Sequence, residues 1–148
     1  MGEGRSSHPG TPRRSSWHDV EAPGIAEFEQ LAREAYERLP RSFRDLCRDL
    51  LIRIEDFPTD EVLDAMDAEG PFDLLGLFQG IGHAQGGAVP QTGQMPNMVF
   101  LYRRPILDYW AENEETLGDV VTHVLVHEIG HHFGLSDADM DDIEDRAD

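Results

Sequence analysis

The segment from about Thr116 to Phe133 constrains the fold most, because it joins an apolar helical pattern to a histidine-rich end. Its apolar residues recur at three- and four-residue steps, the spacing of a buried helix face. Gly134 follows where a left-handed residue commonly ends a helix. The pattern predicts a long helix packed on a sheet through Val120, Val121, Val124, Leu125 and Ile129.

Two histidines in this helix, His127 and His131, are four residues apart and predict a metal site. Residues at this spacing differ by about 40° around an α-helix and by about 6 Å along it, so both imidazoles leave one face. Zinc suits them because it accepts neutral imidazole nitrogen. Glu128 is rotated by about 100° from His127, which predicts a general base beside the metal instead of a ligand.

A third ligand is predicted at Asp137, three residues after Gly134. A sharp turn at this glycine would bring the carboxylate back toward the ion. Two imidazoles and one carboxylate would leave a position open for water, as catalytic zinc requires. The alternative is that Ser136-Asp137 caps a following helix, and one side chain could serve both purposes.

The segment HEIGHHFGLSD, residues 127–137, resembles the HExxHxxGxxD motif of the minimal zincin-like metallopeptidases, which are small bacterial proteins. The similarity extends to residues 73–80 and 99–106. It implies an α+β fold in which the metal-binding helix packs on a small mixed sheet, with an edge strand near the cleft. It also implies His127 and His131 as Zn²⁺ ligands, Asp137 as the third ligand and Glu128 as the base.

The rest of the chain predicts one domain over residues 24–148, after a disordered tail over residues 1–23 that is rich in Ser, Gly, Pro and Arg. Helices are predicted from Ile25 to Leu39, at 41–47, from Thr59 to about Ala68 and from Pro105. Strands are predicted from Leu50 to a proline end at Pro58, at 74–78 and at 97–102. Residues 80–97 are rich in glycine and predict a long loop.

The formal charge of −18 arises from 30 acidic residues against 12 basic ones, all of them arginine. Such a surface repels phosphate backbones and anionic lipids, so neither nucleic acid nor membrane is an expected partner. No apolar stretch approaches the roughly 20 residues needed to span a bilayer, and we expect a cytoplasmic protein. The single cysteine, Cys47, predicts a buried hydrophobic residue instead of a disulfide.

The other histidines are not predicted ligands. His132 is expected to pack or to support a ligand, and His123 to line the cleft or form hydrogen bonds. His83 lies in the glycine-rich loop and is expected to be solvated. Met140 is expected in the core. The terminal acidic residues predict a solvated, frayed end of the chain: Asp139, Asp141, Asp142, Glu144, Asp145 and Asp148.

Together these features predict a zinc-dependent hydrolase, a metallopeptidase in which zinc-activated water attacks a peptide carbonyl and Glu128 is the general base. Its partner would be a peptide or protein substrate, bound extended beside the sheet edge. The alternatives are a non-peptidase hydrolase and an inactive zinc-binding module whose metal is structural. The sequence does not indicate an oligomeric state.

Overall fold

The structure, a computed structural model, describes residues 14–80 and 97–147. A short 3-10 helix at Arg14–Asp19 precedes the α-helices and strands. The α-helices are α1 (Ile25–Glu37), α2 (Arg41–Cys47), α3 (Asp60–Ala65), α4 (Arg103–Ala111), α5 (Leu117–His132) and α6 (Asp137–Arg146). The strands are β1 (Leu51–Glu55), β2 (Gly76–Gln79) and β3 (Met98–Tyr102). The predicted α+β class is confirmed.

The strands form a mixed sheet with β3 at its centre and β1 and β2 at its edges. β1 runs parallel to β3, with Leu51 opposite Met98. β2 runs antiparallel to β3, with Gly76 opposite Leu101. The centre of the sheet is its most apolar part, because Val99 and Leu101 of β3 are fully buried. One edge of the sheet, β2, lies against α5.

The apolar stripe predicted for the first helix is the face of α1 that packs on α5 and β1. Phe28, Ala32 and Ala35 are buried on this face. The chain then turns at Pro40, whose fixed φ and missing N–H suit the residue before a new helix, and α2 begins. Cys47 at the end of α2 is fully buried, as predicted, and burial raises the pKa of its thiol.

The long helix α5 is the core element that the sequence predicts. It contacts α1, α4, α6, β2 and β3. Its N-terminus is capped by the hydroxyl of Thr116, which accepts the N–H of Asp119 at 3.1 Å. Gly134 lies just past its end with a φ of 77°, the left-handed conformation predicted there. Its buried residues are Val120, Val121, Val124, Leu125, Val126, Ile129 and Gly130.

The predicted frayed terminus is wrong for most of its length, because α6 continues to Arg146. Ser136 begins this helix with a capping box, in which its hydroxyl accepts the N–H of Asp139 at 3.0 Å. Met140 is fully buried, as predicted. Glu144, predicted to be solvated, has only 23 % of its side chain exposed. Packing of the Met140 face on α5 therefore orders the end of the chain.

Two predicted boundaries concern the start of α4 and the end of the N-terminal tail. α4 begins at Arg103, two residues before the predicted start, and Pro105 lies in its first turn, where a helix makes no use of the missing N–H. Of the predicted tail, residues 1–13 lie outside the described residues, and the division at residue 23 stays a prediction. No helix in the described parts of the chain has the length and apolar character to cross a lipid bilayer.

Candidate metal centre

Three histidines form a row along one face of α5. His123, His127 and His131 follow one another at four-residue steps, so each ring lies one turn beyond the last. The ring centroids of His123 and His127 are 4.0 Å apart, and those of His127 and His131 are 5.5 Å apart with the rings nearly perpendicular. The helix thus presents a continuous line of imidazole nitrogen.

A close helix contact brings α6 beside this row. A Cβ placed on Gly130 of α5 would lie 2.5 Å from Sδ of Met140, so the two helices touch where α5 has no side chain. Glu144 is one turn after Met140 and shares its face of α6. His127 is one turn before Gly130 on α5. The contact therefore places Glu144 opposite the histidine row.

Glu144 bridges two of the histidines. Its Oε2 lies 3.1 Å from Nδ1 of His123 and 3.1 Å from Nε2 of His127. Its Oε1 lies 3.2 Å from the same His123 nitrogen. Among the described residues, these three side chains form the one group of His, Cys, Asp or Glu whose ligand atoms all lie within 4.8 Å of one another.

Nε2 of His127 is buried and forms an ion pair with Oε2 of Glu144 at 3.1 Å, although it makes no hydrogen bond of good geometry. Burial lowers the pKa of His127, and the charge of His123 lowers it further, against the opposing effect of Glu144. His127 thus favours the neutral form that binds a metal ion.

Glu128 lies on the side of α5 that faces the sheet. A Cβ on Gly76 of β2 would lie 3.3 Å from Cγ of Glu128, so the edge strand passes directly over this side chain. Burial raises the pKa of Glu128 to about 7. A carboxyl group with this pKa can accept and release a proton near neutral pH, as a general base must.

The structure separates the predicted site residues into two sets. His127, Glu128 and His131 all lie on the predicted helix, α5, and His131 is one turn after His127. Asp137, in contrast, is the exposed first residue of α6 and is not in the close group of ligand atoms. Ser136, not Asp137, provides the helix cap. The ligand roles of His131 and Asp137 stay predictions.

Sequence reasoning did not find Glu144 as a site residue, and it left His123 outside the ligand set. His123 does form the predicted hydrogen bond, with Glu144 as its partner. His132 packs against Phe78 of β2 with centroids 4.4 Å apart, in agreement with its expected packing role. His83 and most of the glycine-rich loop lie outside the described residues.

The fold and site define a small α+β protein in which a histidine-bearing helix packs beneath a mixed sheet. The chain belongs to the zincin-like metallopeptidase family, whose model matches residues 47–147. This match confirms the family that the motif indicated and covers every strand, together with α3 to α6.

A similar solved structure is that of a conserved hypothetical protein, TTHA0227, from Thermus thermophilus. The two chains are 19 % identical, and the TM-score is 0.50. The similarity covers 75 % of this chain and 94 % of the other. At this identity the comparison supports the fold alone. No curated protein matches the chain.

Proposed function

We propose that the protein is a zinc-dependent hydrolase that cleaves peptide bonds. The observation that carries this proposal is the arrangement on α5, where the half-buried Glu128 directly follows His127, whose Nε2 is buried. A proton acceptor and a nitrogen able to bind a metal are thereby fixed on one helix. Zinc, when bound, supplies a Lewis acid that polarises a carbonyl group and makes water acidic near neutral pH.

The site residues would have two roles, metal binding and proton transfer. His127, with His131 and with Asp137 from the start of α6, would hold the ion. Glu128 would take a proton from the attacking water and pass it to the amine nitrogen as the peptide C–N bond breaks. The water oxygen then ends on the carbonyl carbon, and both of its protons are accounted for in the acid and amine products. The raised pKa of Glu128 suits this carboxyl group to both proton transfers.

The position of β2 supports an extended peptide as substrate. Among the strands in the described parts of the chain, β2 is at an edge of the sheet, and Gly76 places it against Glu128. A peptide that adds to this edge would gain main-chain hydrogen bonds and would run past the base. The edge and the base are thus close enough for one substrate to use both.

A structural role for the metal is less well supported, because the described residues already form a full apolar core. Side chains from α1, the sheet, α5 and α6 are packed together, including Phe28, Leu101 and Ile129. Domains that depend on structural zinc commonly unfold without it. We therefore expect chelation to lower the melting temperature only slightly, and collapse of the fold would favour the structural role.

The test is hydrolysis of an internally quenched peptide library by the purified protein, with and without chelator. Chelation should abolish cleavage, and added zinc should restore it. Glu128→Gln should lower the rate by about 100-fold or more, since general-base catalysis contributes about that much, while zinc content stays that of the wild type. His18→Ala is the matched control, because this histidine is exposed and distant in sequence from α5.

Two results would contradict the proposal. One is cleavage that continues in Glu128→Gln or in chelator, which would indicate a contaminant or another mechanism. The other is a zinc-loaded wild-type protein that cleaves no member of the library.

A further inference from the structure

The cluster of His123, His127 and Glu144 has donor spacings that fit a metal ion. Zinc binds nitrogen at about 2.0 to 2.1 Å and carboxylate oxygen at about 2.0 to 2.2 Å in tetrahedral geometry, so neighbouring donors are roughly 3.3 to 3.5 Å apart. Oε2 of Glu144 is 3.1 Å from a nitrogen of each histidine. The three ligand atoms all lie within 4.8 Å of one another, so small adjustments of the side chains would admit the ion.

The burial of the His127 nitrogen supports the same conclusion. A buried polar atom without a good hydrogen bond costs about 1 to 3 kcal/mol. Nε2 of His127 is buried and makes no hydrogen bond of good geometry, and its ion-pair partner Oε2 of Glu144 is 3.1 Å away. An ion between the two atoms would coordinate both.

The surroundings of Glu144 leave room for the remaining ligands. Glu144 also lines a cavity of about 170 Å³ between α1, α5 and α6, with Thr122 and Arg38 among its other walls. The two histidines do not line this cavity, but 44 % of the His123 side chain is exposed. Water can therefore reach the cluster at His123 and complete the coordination of a metal held by three side chains.

We propose that His123, His127 and Glu144 form a second metal-binding seat, which overlaps the motif site at His127. The proposal extends the function proposed above. His123 and His131 are eight residues apart, about 12 Å along a straight helix, so one ion cannot contact both. Nε2 of His127 binds one ion at a time. The seats are thus mutually exclusive, and an ion in the second seat is withdrawn from the motif site.

The nature of the donors selects the ion. Two imidazoles and one carboxylate suit zinc and neighbouring transition metals, whereas magnesium and calcium prefer oxygen ligands alone. We expect Zn²⁺ to bind the seat and Mg²⁺ or Ca²⁺ at the same concentration not to compete with it.

The experiment measures zinc binding to the full chain by competition with a chromophoric chelator, so that no activity is needed. His131→Ala combined with Asp137→Asn removes the motif site, and both side chains are exposed, so the fold should persist. This double variant should still bind one zinc ion. Adding Glu144→Gln should weaken binding at least tenfold, because even groups that only support a ligand cost about 10- to 100-fold.

Two further variants complete the design. Asp145→Asn, on the same helix but exposed, is the matched control and should leave the affinity of the double variant unchanged. His123→Ala in the same background should repeat the loss seen with Glu144→Gln, which guards against a fold defect in either variant. Circular dichroism of each protein verifies that α5 and α6 are intact.

The outcomes separate this proposal from the proposed function. If the double variant binds no zinc while the wild type does, the second seat is refuted and the motif site stands. If Glu144→Gln and His123→Ala leave the affinity of the double variant unchanged, the second seat is likewise refuted. If His127→Ala binds zinc as tightly as the wild type, both proposals fail.

Discussion

Nε2 of His127 lies 3.1 Å from Oε2 of Glu144, and the two side chains come from consecutive helices, α5 and α6. The motif helix alone does not create this contact. It depends on the closeness of α6, which in turn depends on Gly130 and Met140. The contact between His127 and Glu144 is therefore linked to helix packing one turn away.

The first prediction concerns Gly130→Ala. The added methyl group would lie 2.5 Å from Sδ and 2.9 Å from Cγ of Met140, which is itself fully buried. Either the Met140 side chain must rearrange within a packed core or α6 must shift outward, so we expect a loss of about 1 to 3 kcal/mol in the free energy of unfolding, as for other overpacked cores. A shift of α6 would also lower zinc affinity, because Glu144 moves with that helix. Urea denaturation and chelator competition measure the two effects.

Gly118→Ala is the matched control for that substitution. Gly118 lies in the same helix, and the nearest atom to an added Cβ is 3.8 Å away. Alanine should stabilise the helix by up to about 1 kcal/mol, because it has the higher helix propensity. Equal effects of the two substitutions would show that the contact between Gly130 and Met140 does not limit the approach of α6.

The second prediction concerns the start of α6. Ser136→Ala removes the hydroxyl that accepts the N–H of Asp139, so we expect a loss of about 1 kcal/mol in the free energy of unfolding. Asp137→Asn should cost much less, because Asp137 is not the cap. Thermal unfolding of the two metal-free variants measures the difference. A larger loss from Asp137→Asn would restore the prediction that Asp137 caps the helix.

The sequence predicts α5 and β3 well because each carries its own periodic apolar pattern. The row of histidines follows from the helix alone, since residues four apart must share a face. The strand order β1-β3-β2, in contrast, depends on contacts between strands that are far apart in the sequence. The parallel pairing of β1 with β3 leaves no local signal in either strand.

Glu144 was missed because its environment is created by another element. The acidic composition of residues 137–148 favours a solvated end, and this outweighed a weaker helical signal. That signal was present: Ser136 and Asp139 have capping-box spacing, and Met140 and Ile143 are three residues apart. A carboxylate one turn after the buried Met140 then lies at the edge of the packed face. Only the contact between Met140 and Gly130 shows that this carboxylate lies opposite the histidines of α5.

The third prediction concerns Gly76→Ala in β2. A Cβ there would lie 2.9 Å from the carbonyl oxygen of Phe100 and 2.9 Å from Cγ1 of Val124. The carbonyl belongs to the backbone of β3 and cannot yield without weakening the pairing of the strands. We expect a loss of about 1 to 3 kcal/mol in the free energy of unfolding, measured in urea.

Gly70→Ala serves as the control for Gly76→Ala, since its nearest neighbour would be 3.8 Å away. It should change the free energy of unfolding by no more than about 0.5 kcal/mol. If Gly76→Ala is equally mild, β2 does not press on α5, and the burial of Glu128 beneath this strand would need another cause.

The fourth prediction is a pH dependence of the metal-free protein that arises from Glu128. Burial raises its pKa from 4.5 to about 7 in the folded chain. Below pH 4.5 both states hold the proton, so Glu128 does not change stability. As the pH rises toward 7, the Glu128 carboxyl group ionises in the unfolded chain but stays protonated in the folded one. This difference lowers the free energy of unfolding by about 3 kcal/mol at most. Tyr102, whose pKa burial and the charges of Glu55 and Glu128 raise to about 12, stays neutral throughout.

Glu128→Gln removes this titration while keeping the size of the side chain. The free energy of unfolding of the variant, relative to that of the wild type, should therefore increase between about pH 4 and about pH 8. Urea denaturation in chelator across this range measures the increase. A difference that stays constant would mean that Glu128 is hydrated and not held beneath β2, because a hydrated carboxyl group ionises alike in the folded and the unfolded chain.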